Sequence, residues 1–499
     1  MKTLLHFRSP PRSLLLVAGI LLLSNAVVSS LCGLGDAEAL YYNYGLHLSF
    51  SYLDHPPLIG WLIRISTTVF GQTVIGVRVV AMGMCLLCLI STTRLTREMY
   101  GDEAAGLVPY LMLATPVFAV GMTAATPDAP LSALWPVVTL QLYRALFTDP
   151  SPTTSWRVRL RPLGIGLLLG LAFLAKYTGA LLVVTTLLMV SRKEARAHLR
   201  RPMVWCGALI AAAVAMPVFI WNIRHDWAGA LHRLSWTQGG AGVSLRNAGA
   251  LIGGQLLYVG PPMLWLFFRA LKSGFARRDR RRNEDAFRIL AAASLPTLIA
   301  GYLLVLWSKV AEPHWPAAGY LPLFPLAAHY ATAHPSSGKR VAKLAIGFGI
   351  VAFSVMHLLV LTPLVPLLTP ADRYEPKYDL ANELTGWPEV AEQIRDITPA
   401  GLVVTSGFYT QCAQLRFALN RPSDPKVRCI SEEIDDFDIW HPAKVDAPFV
   451  FVDDNRFNHD VTKLASDAEV RATHDVEIFR GGRSARRFRI RLVDSKPSR

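Results

Sequence analysis

Carboxylates and cations that could do acid–base or anion-binding chemistry stand beside strongly apolar runs. The segment "SYLDHPPLIGWLIR" places Asp54 and His55 ahead of two prolines and an apolar, aromatic stretch. Proline lacks an N–H and biases the preceding residue towards extended backbone, so we expect this pair at a sharp turn. Asp36 and Glu38, in "GDAEALYY", directly follow another apolar run. A carboxylate within hydrogen-bond reach of a hydroxyl can act as a general base.

Other candidate residues lie in short polar segments between apolar runs. "TPDAPL" contains an acid, "AKYTG" a lysine and a tyrosine, and "WSKVAEPHWPAAGY" a lysine, a histidine and tryptophans. Cations placed where negative charge develops stabilise a transition state more than a ground state. An Asp before a helix also fits an N-cap, and a Trp at a membrane edge also fits an interfacial anchor. The candidate binding residues are His55, Arg64, Asp128, Lys176, Tyr177, Lys309, His314 and Trp315.

The elements that must position these residues are membrane helices. Of the 499 residues 52% are hydrophobic and only 17% are charged, against about 25% charged in ordinary globular domains. Residues 14–31 carry no charge and span about 27 Å as a helix, close to the thickness of a bilayer core. A cleavable signal peptide is the alternative for this run, since Lys2, Arg8 and Arg12 precede it. A retained first helix is simpler because many similar runs follow.

The distribution of basic residues predicts the orientation of these helices. The net charge of +15 comes from clusters such as "SRKEARAHLRR" and "RRDRRR", which lie between apolar runs. This pattern indicates cytoplasmic loops and anionic lipid contact rather than nucleic-acid binding. With a cytoplasmic N-terminus, about 11 crossings follow and place the C-terminus outside. The predicted helices are 14–33, 71–93, 104–122, 129–147, 163–175, 178–190, 203–223, 247–268, 289–308, 316–333 and 344–366.

The fifth and sixth predicted helices are separated at Lys176 and Tyr177. Basic segments flank both ends of this stretch, so the chain must cross an even number of times if both flanks are cytoplasmic. A single helix would also bury Lys176 at the bilayer centre, at a cost of several kcal/mol. In this topology the polar segments named above, together with "NIRHDWAGALHRLSW", fall on the external side. Polar loops on a rigid scaffold, gathered on one face, predict a site at the membrane surface.

Taken together and in this order, "GDAEALYY", "YLDHPPL", "TPDAPL", "KYTG" and "EPHWPAAGY" resemble motifs of the integral-membrane glycosyltransferases of the GT-C fold. The family most similar includes protein O-mannosyltransferases and bacterial aminoarabinose transferases that act on lipid A. The resemblance covers about residues 30–330. It implies transfer of a sugar from a polyprenyl-phosphate carrier to a lipid, glycan or protein acceptor on the extracytoplasmic side of the cell membrane.

The resemblance also implies roles for individual residues. The first external loop, about 34–70, supplies the catalytic carboxylate of such enzymes, which maps to Asp36. Relatives often have adjacent Asp-Glu where this chain has Asp-Ala-Glu, so Glu38 competes for the same role. Asp54 falls where related transferases have an acid that can bind a metal, and His55 stands where some relatives have Lys. A divalent ion held by Asp54 with His55 or His314 is therefore a further expectation, although no spacing specifies a metal.

The sequence as a whole predicts two parts. Residues 1–368 form a polytopic transmembrane region, and residues 369–499 form a small extracytoplasmic α/β domain. "GWPEVAEQIRDI" and "YTQCAQLRFALN" have the pattern of helices, and "GLVVTSG" and "APFVFVDD" that of buried strands. We assign this domain no catalysis. Cys412 and Cys429 could form a disulfide in an oxidising compartment. The rival function is a transporter or flippase of lipid-linked glycans, but such a protein is expected to place ionisable groups near the bilayer midplane.

Overall fold

The structure is a computed structural model that describes residues 12–119, 121–148, 155–276, 281–310, 312–465 and 468–496. Lys2 and Arg8, which bear on the signal-peptide alternative, and most of "RRDRRR" lie outside the described residues. The chain divides into two compact units. The helical unit comprises Met1–Ala26, Ser49–Ile59 and Val79–Ser354, and the sheet unit comprises Val27–Leu48, Gly60–Arg78 and Val355–Arg499.

Helices account for most of the described chain. The first ten are α1 (Arg12–Leu31), α2 (Asp36–Leu46), α3 (Leu58–Phe70), α4 (Val74–Tyr100), α5 (Asp102–Leu113), α6 (Pro116–Ala119), α7 (Asp128–Tyr143), α8 (Trp156–Ala175), α9 (Ala180–Val190) and α10 (Pro202–Arg224). The next eight are α11 (Ala228–Gln238), α12 (Leu245–Tyr258), α13 (Pro261–Ala276), α14 (Arg281–Trp307), α15 (Ala317–Tyr320), α16 (Leu323–Ala333), α17 (Ser337–Leu361) and α18 (Leu364–Leu368). The last four are α19 (Trp387–Ile397), α20 (Tyr409–Ala418), α21 (Asp436–Trp440) and α22 (Val461–Leu464).

Within the described residues, five helices are long and apolar enough to cross a membrane. They are α4, α8, α10, α14 and α17, and the pair α12–α13 makes a sixth if it is counted as one span. The count of 11 crossings is therefore not confirmed. Prolines explain some of the breaks in the predicted spans, because a proline removes a backbone N–H donor from the helix.

The clearest departure is in the predicted helix 247–268. Its two halves, α12 and α13, meet at an angle of 92°. Gly260 lies at the bend with a φ of +90°, a conformation that side chains rarely adopt, and two prolines follow it. The predicted helix 316–333 is likewise split into α15 and α16 around Pro322. At Lys176, by contrast, the structure has the predicted break, since a short 3₁₀ turn (Tyr177–Gly179) separates α8 from α9.

The helical unit is held together by close helix contacts around a large apolar core. A side chain on Gly166 of α8 would collide with the backbone carbonyl of Gly207 on α10. Small residues allow membrane helices to approach to this distance and to gain van der Waals contact. In the core, the indole of Trp135 donates to the carbonyl oxygen of Ala293 at 3.2 Å. These contacts provide the rigid scaffold from which the polar loops project.

The sheet unit contains four strands, β1 (Val403–Thr405), β2 (Phe449–Asp454), β3 (Ala468–Arg480) and β4 (Arg483–Ser495). Their order is β1-β2-β4-β3, with β1 parallel to β2 and the other pairs antiparallel. "GLVVTSG" and "APFVFVDD" contain β1 and β2, while the long β3–β4 hairpin was not predicted. Apolar side chains of α19 and α20, including Val390, Ile394 and Leu415, form a core with the sheet. Cys412 and Cys429 form a disulfide.

A buried ion pair joins two strands of this sheet, β4 and β2. Arg486 donates to Asp454 Oδ2 at 2.8 and 2.6 Å, and neither side chain is more than 1% exposed. The guanidinium also lies 4.4 Å from the centre of the Trp387 ring and 4.3 Å from that of Phe488. Its positive charge offsets the cost of burying the aspartate.

We expect the substitution Arg486→Gln to lower the free energy of unfolding of the sheet unit by about 3 kcal/mol, because it leaves a buried carboxylate poorly compensated. The measurement is thermal unfolding of the purified full chain in detergent. Arg487→Gln is the matched control, since its partner Glu477 is on the exposed side of the hairpin. Equal melting temperatures for the two variants would contradict the prediction.

Candidate active site

Polar residues from five separate segments of the helical unit gather in one place, which we call the loop cluster. It is built from the turn before α3, the first residue of α7, the break between α8 and α9, helix α11 and the segment after α14. Ion-pair and hydrogen-bond contacts connect its members in two groups. The cluster consists of Asp54, His55, Asp128, Lys176, His232, Arg233, Glu312 and His314.

The turn at "LDHPP" positions the first two members. The amide of Tyr52 donates to the carbonyl oxygen of His55 at 3.1 Å and closes the turn, and α3 begins at Leu58 after the two prolines. Arg233 of α11 donates from Nε to the backbone oxygen of Asp54 at 2.8 Å. The turn predicted from the prolines is therefore present and is fixed by an arginine from elsewhere in the chain.

Two neighbouring residues of α11, His232 and Arg233, contact the charged groups of the turn. Arg233 lies 3.4 Å from Asp54 Oδ1 and 3.1 Å from His55 Nε2, and the imidazole of His232 is also 3.4 Å from Asp54 Oδ1. Burial raises the pKa of Asp54, but His232 and the charge of Arg233 outweigh it and lower the pKa to about 2. Burial and the same arginine lower the pKa of His55 well below its usual value. His55 is therefore neutral at physiological pH.

A second pair within the loop cluster joins α7 to the break at Lys176. Lys176 Nζ is 2.8 Å from both carboxylate oxygens of Asp128, so the predicted lysine and aspartate contact each other. His314 Nε2 lies 3.8 Å from Asp128 Oδ2, and its Nδ1 lies 3.4 Å from Glu312 Oε2. An ammonium has three donors, and Asp128 accepts two of them. The third can bind an anionic ligand.

The arrangement does not favour a metal site. In the part of the chain that the structure describes, no group of three or more His, Cys, Asp or Glu side chains is arranged to hold a metal ion. Asp54 and His55, two of the predicted ligands, both contact Arg233, whose charge would repel a divalent cation. His314, the third, contacts Asp128 and Glu312. We therefore assign no step to a metal.

The two carboxylates of "GDAEALYY" lie in the sheet unit and have different surroundings. Glu38 is buried, forms an ion pair with Arg78 and accepts from the amide of Gly35 at 3.0 Å, as in a helix capping box. Asp36 accepts one hydrogen bond at each oxygen, from Gln414 at 3.0 Å and from Arg456 at 3.1 Å. Glu38 thus accepts two hydrogen bonds at Oε2 and one at Oε1, whereas Asp36 accepts one at each oxygen and so retains a lone pair on each.

Four other residues predicted from the sequence are outside the loop cluster. Tyr177 starts the 3₁₀ turn after Lys176, and its side chain is partly buried. Lys309 is exposed beyond the end of α14, Arg64 is exposed on α3 in the sheet unit, and the Trp315 side chain is half-buried.

Sequence reasoning missed several residues that contact the candidate groups. In the helical unit they are His232, Arg233 and Glu312, and in the sheet unit they are Arg78, Glu383, Gln414 and Arg456. The first two were detectable, because adjacent His and Arg in "GALHRLSW" stand in a segment predicted to be external. The sheet-unit residues carried no signal, since hundreds of residues separate Glu383, Gln414 and Arg456 from Asp36, and 40 residues separate Arg78 from Glu38.

The sequence is similar to known glycosyltransferases. Residues 54–221 match the model of the family described as dolichyl-phosphate-mannose-protein mannosyltransferase. The chain is also 26% identical over 297 residues to the lipid A galacturonosyltransferase RgtD of Rhizobium johnstonii. That alignment covers 57% of this chain and 58% of the relative, so the chain spans less than two thirds of the relative's length.

Solved structures decide the fold. The crystal structure of ArnT from Cupriavidus metallidurans in the apo state matches with a TM-score of 0.65, at 16% sequence identity, over 96% of this chain and 97% of that one. The same protein bound to undecaprenyl phosphate matches with a TM-score of 0.62. This chain has the GT-C fold. The resemblance indicated by the sequence motifs is confirmed, and the chain is a multi-pass membrane protein.

The depressed pKa of His55 predicts a pH-dependent stability for this GT-C protein. The unfolded chain binds a proton at His55 below about pH 6.5 and the folded chain does not, so stability falls as the pH is lowered. One such proton contributes at most about 1.4 kcal/mol per pH unit. Between pH 6.5 and 5 we expect the melting temperature of the wild type to fall more steeply than that of His55→Gln. Parallel melting curves for the two proteins would show that His55 is not the group responsible.

Proposed function

We propose that this chain is a glycosyltransferase that moves a sugar from a polyprenyl-phosphate carrier to an envelope acceptor. The single observation that carries the proposal is the loop cluster, in which Lys176 and Arg233 are brought together with a neutral imidazole, His55, by loops of a GT-C scaffold. Such a group suits a phosphate that gains negative charge as its bond to the sugar breaks. The comparison proteins support the class of donor, since one of them was solved with undecaprenyl phosphate bound.

Asp36 is the proposed general base, and it removes the proton from the acceptor hydroxyl. Glu38 is the weaker candidate because Arg78 and the Gly35 amide occupy its carboxylate. The hydroxyl oxygen then attacks the anomeric carbon, the bond from that carbon to the phosphate oxygen breaks, and the carrier leaves as polyprenyl phosphate.

The proposed placement has about 11 crossings, a cytoplasmic N-terminus and the 369–499 domain outside the cytoplasm. The basic loops support this orientation. The disulfide between Cys412 and Cys429 supports it too, because such bonds persist in oxidising compartments such as the bacterial periplasm. The acceptor is proposed to be a lipid or another envelope glycan. The relative named as a lipid A galacturonosyltransferase makes lipid A the first acceptor to test.

We expect purified protein in liposomes to transfer radiolabel from an undecaprenyl-phosphate sugar to lipid A or to a membrane-lipid extract. Asp36→Asn should lower kcat by about 10²- to 10⁴-fold, as for loss of a general base. Glu38→Gln should lower the melting temperature but leave kcat within a few-fold, because the buried Arg78 loses its counter-charge. Labelled carrier that crosses the bilayer without donor consumption would identify a transporter instead.

We expect Arg233→Gln to raise the KM for the donor by about 10- to 100-fold, the equivalent of one hydrogen bond to a charged group. Donor titration under initial-rate conditions measures this change. Arg224→Gln is the matched control, because Arg224 is exposed at the end of α10 in the same unit. An unchanged KM for Arg233→Gln would exclude this arginine from donor binding.

A further inference from the structure

The side chain of Asp36 is held by residues from the far C-terminal part of the chain. Its Oδ1 accepts from Gln414 Nε2 at 3.0 Å, and its Oδ2 accepts from Arg456 Nη1 at 3.1 Å. Its backbone amide donates to Glu383 Oε1 at 2.7 Å. Three side chains from three different segments of the sheet unit thus fix one aspartate, and the Asp36 side chain is only 14% exposed.

Arg456 is itself rigidly held. Its Nε lies 3.0 Å from Asp454 Oδ2 at the end of β2, and its guanidinium lies 5.4 Å from the centre of the Phe457 ring. Asp454 is in turn fixed by Arg486, as described above, and by Gln411 of α20 at 2.9 Å. The position of the guanidinium beside Asp36 therefore follows from the sheet and not from a flexible surface side chain.

Helix α2, which begins at Asp36, is anchored along its length to α20. Asn43 donates to the backbone oxygen of Ala413 at 3.2 Å, and the rings of Tyr42 and Phe417 meet edge to face at 5.0 Å. Gln414, also on α20, donates to the backbone oxygen of Leu34 at 2.8 Å as well as to Asp36. The backbone on both sides of the aspartate is thereby fixed to the same helix that orients its carboxylate.

From these contacts we infer that Arg456 and Gln414 are positioning residues that orient Asp36 for proton removal. The inference rests on the proposed function and deepens it. One donor at each oxygen fixes the plane of the carboxylate and leaves a lone pair on each oxygen for an acceptor hydroxyl. A small displacement of such a base lowers the rate strongly, by about 100-fold for 1 Å. The C-terminal domain is then a part of the catalytic apparatus and not an accessory.

Arg456 also offsets the repulsion between two neighbouring carboxylates. Burial and the charge of Asp36 raise the pKa of Glu383, so Glu383 binds a proton more readily than an ordinary glutamate. When Glu383 is protonated, the two positive charges of Arg456 and Arg486 equal the two negative charges of Asp36 and Asp454. Removal of Arg456 leaves Asp36 without its ionic partner while its other contacts remain.

The test compares the full-length wild type in liposomes with Arg456→Ala, Arg456→Lys and Gln414→Met. We expect Arg456→Ala to lower kcat by about 100-fold, with the KM for the undecaprenyl-phosphate sugar changed less than threefold. Arg456→Lys should keep part of the activity, because an ammonium retains the charge but not the planar fork. Added guanidinium chloride should partly restore Arg456→Ala. Arg489→Ala, from an exposed pair with Asp475, is the matched control.

A second measurement covers the case in which Arg456→Ala folds poorly. The melting temperatures of Asp36→Asn, Arg456→Gln and the double variant form a cycle that needs no activity. A double variant that melts close to the less stable single variant supports the contact, and strictly additive shifts overturn it. If the wild type is active and Arg456→Ala has the same kcat, the positioning role alone is overturned. A wild type that transfers no sugar overturns the proposed function, and the catalytic role with it.

Discussion

A buried carboxylate must be paired, and much of the described structure follows from that constraint. An unpaired charge removed from water costs several kcal/mol, so each buried acid acquires a cation or several donors. Asp454 has Arg486 and Arg456, and Glu38 has Arg78. These pairs tie together segments that are far apart in the chain. Acids whose oxygens are occupied by such partners have a structural role, whereas acids that keep hydrogen-bonding capacity can take part in chemistry.

The loop cluster shows the same principle in a different form. Its members do not use all of their hydrogen-bonding capacity on each other, because Lys176 retains a donor after binding Asp128. In the proposed function, this remaining donor binds the phosphate of the substrate. Burial and Arg233 lower the pKa of His55, so this imidazole adds no charge of its own beside the arginine at neutral pH.

Much of the candidate site could be predicted because polar residues beside apolar runs are rare and costly. The turn at "LDHPP", the break at Lys176 and the pairing of distant loops all followed from proline geometry and from the expense of burying charge. Helix lengths could not be predicted as well. The bend between α12 and α13 depends on a glycine at positive φ and on packing that hydropathy does not describe. Short helices such as α7 are also not long enough to be counted as membrane spans.

By itself, the sequence determined that this is a multi-pass helical membrane protein of the GT-C type, and which loops carry its ionisable residues. Composition and local motifs suffice for that, because both depend on neighbours in the chain. Only the tertiary structure decided that Arg233 contacts Asp54 and His55, that Glu38 is occupied by Arg78, and that Asp36 is held by Gln414 and Arg456. The physical reason is that a hydrogen bond or ion pair acts over a few ångströms in space, whatever the distance along the chain. No local pattern in the sequence marks a partner that is 420 residues away.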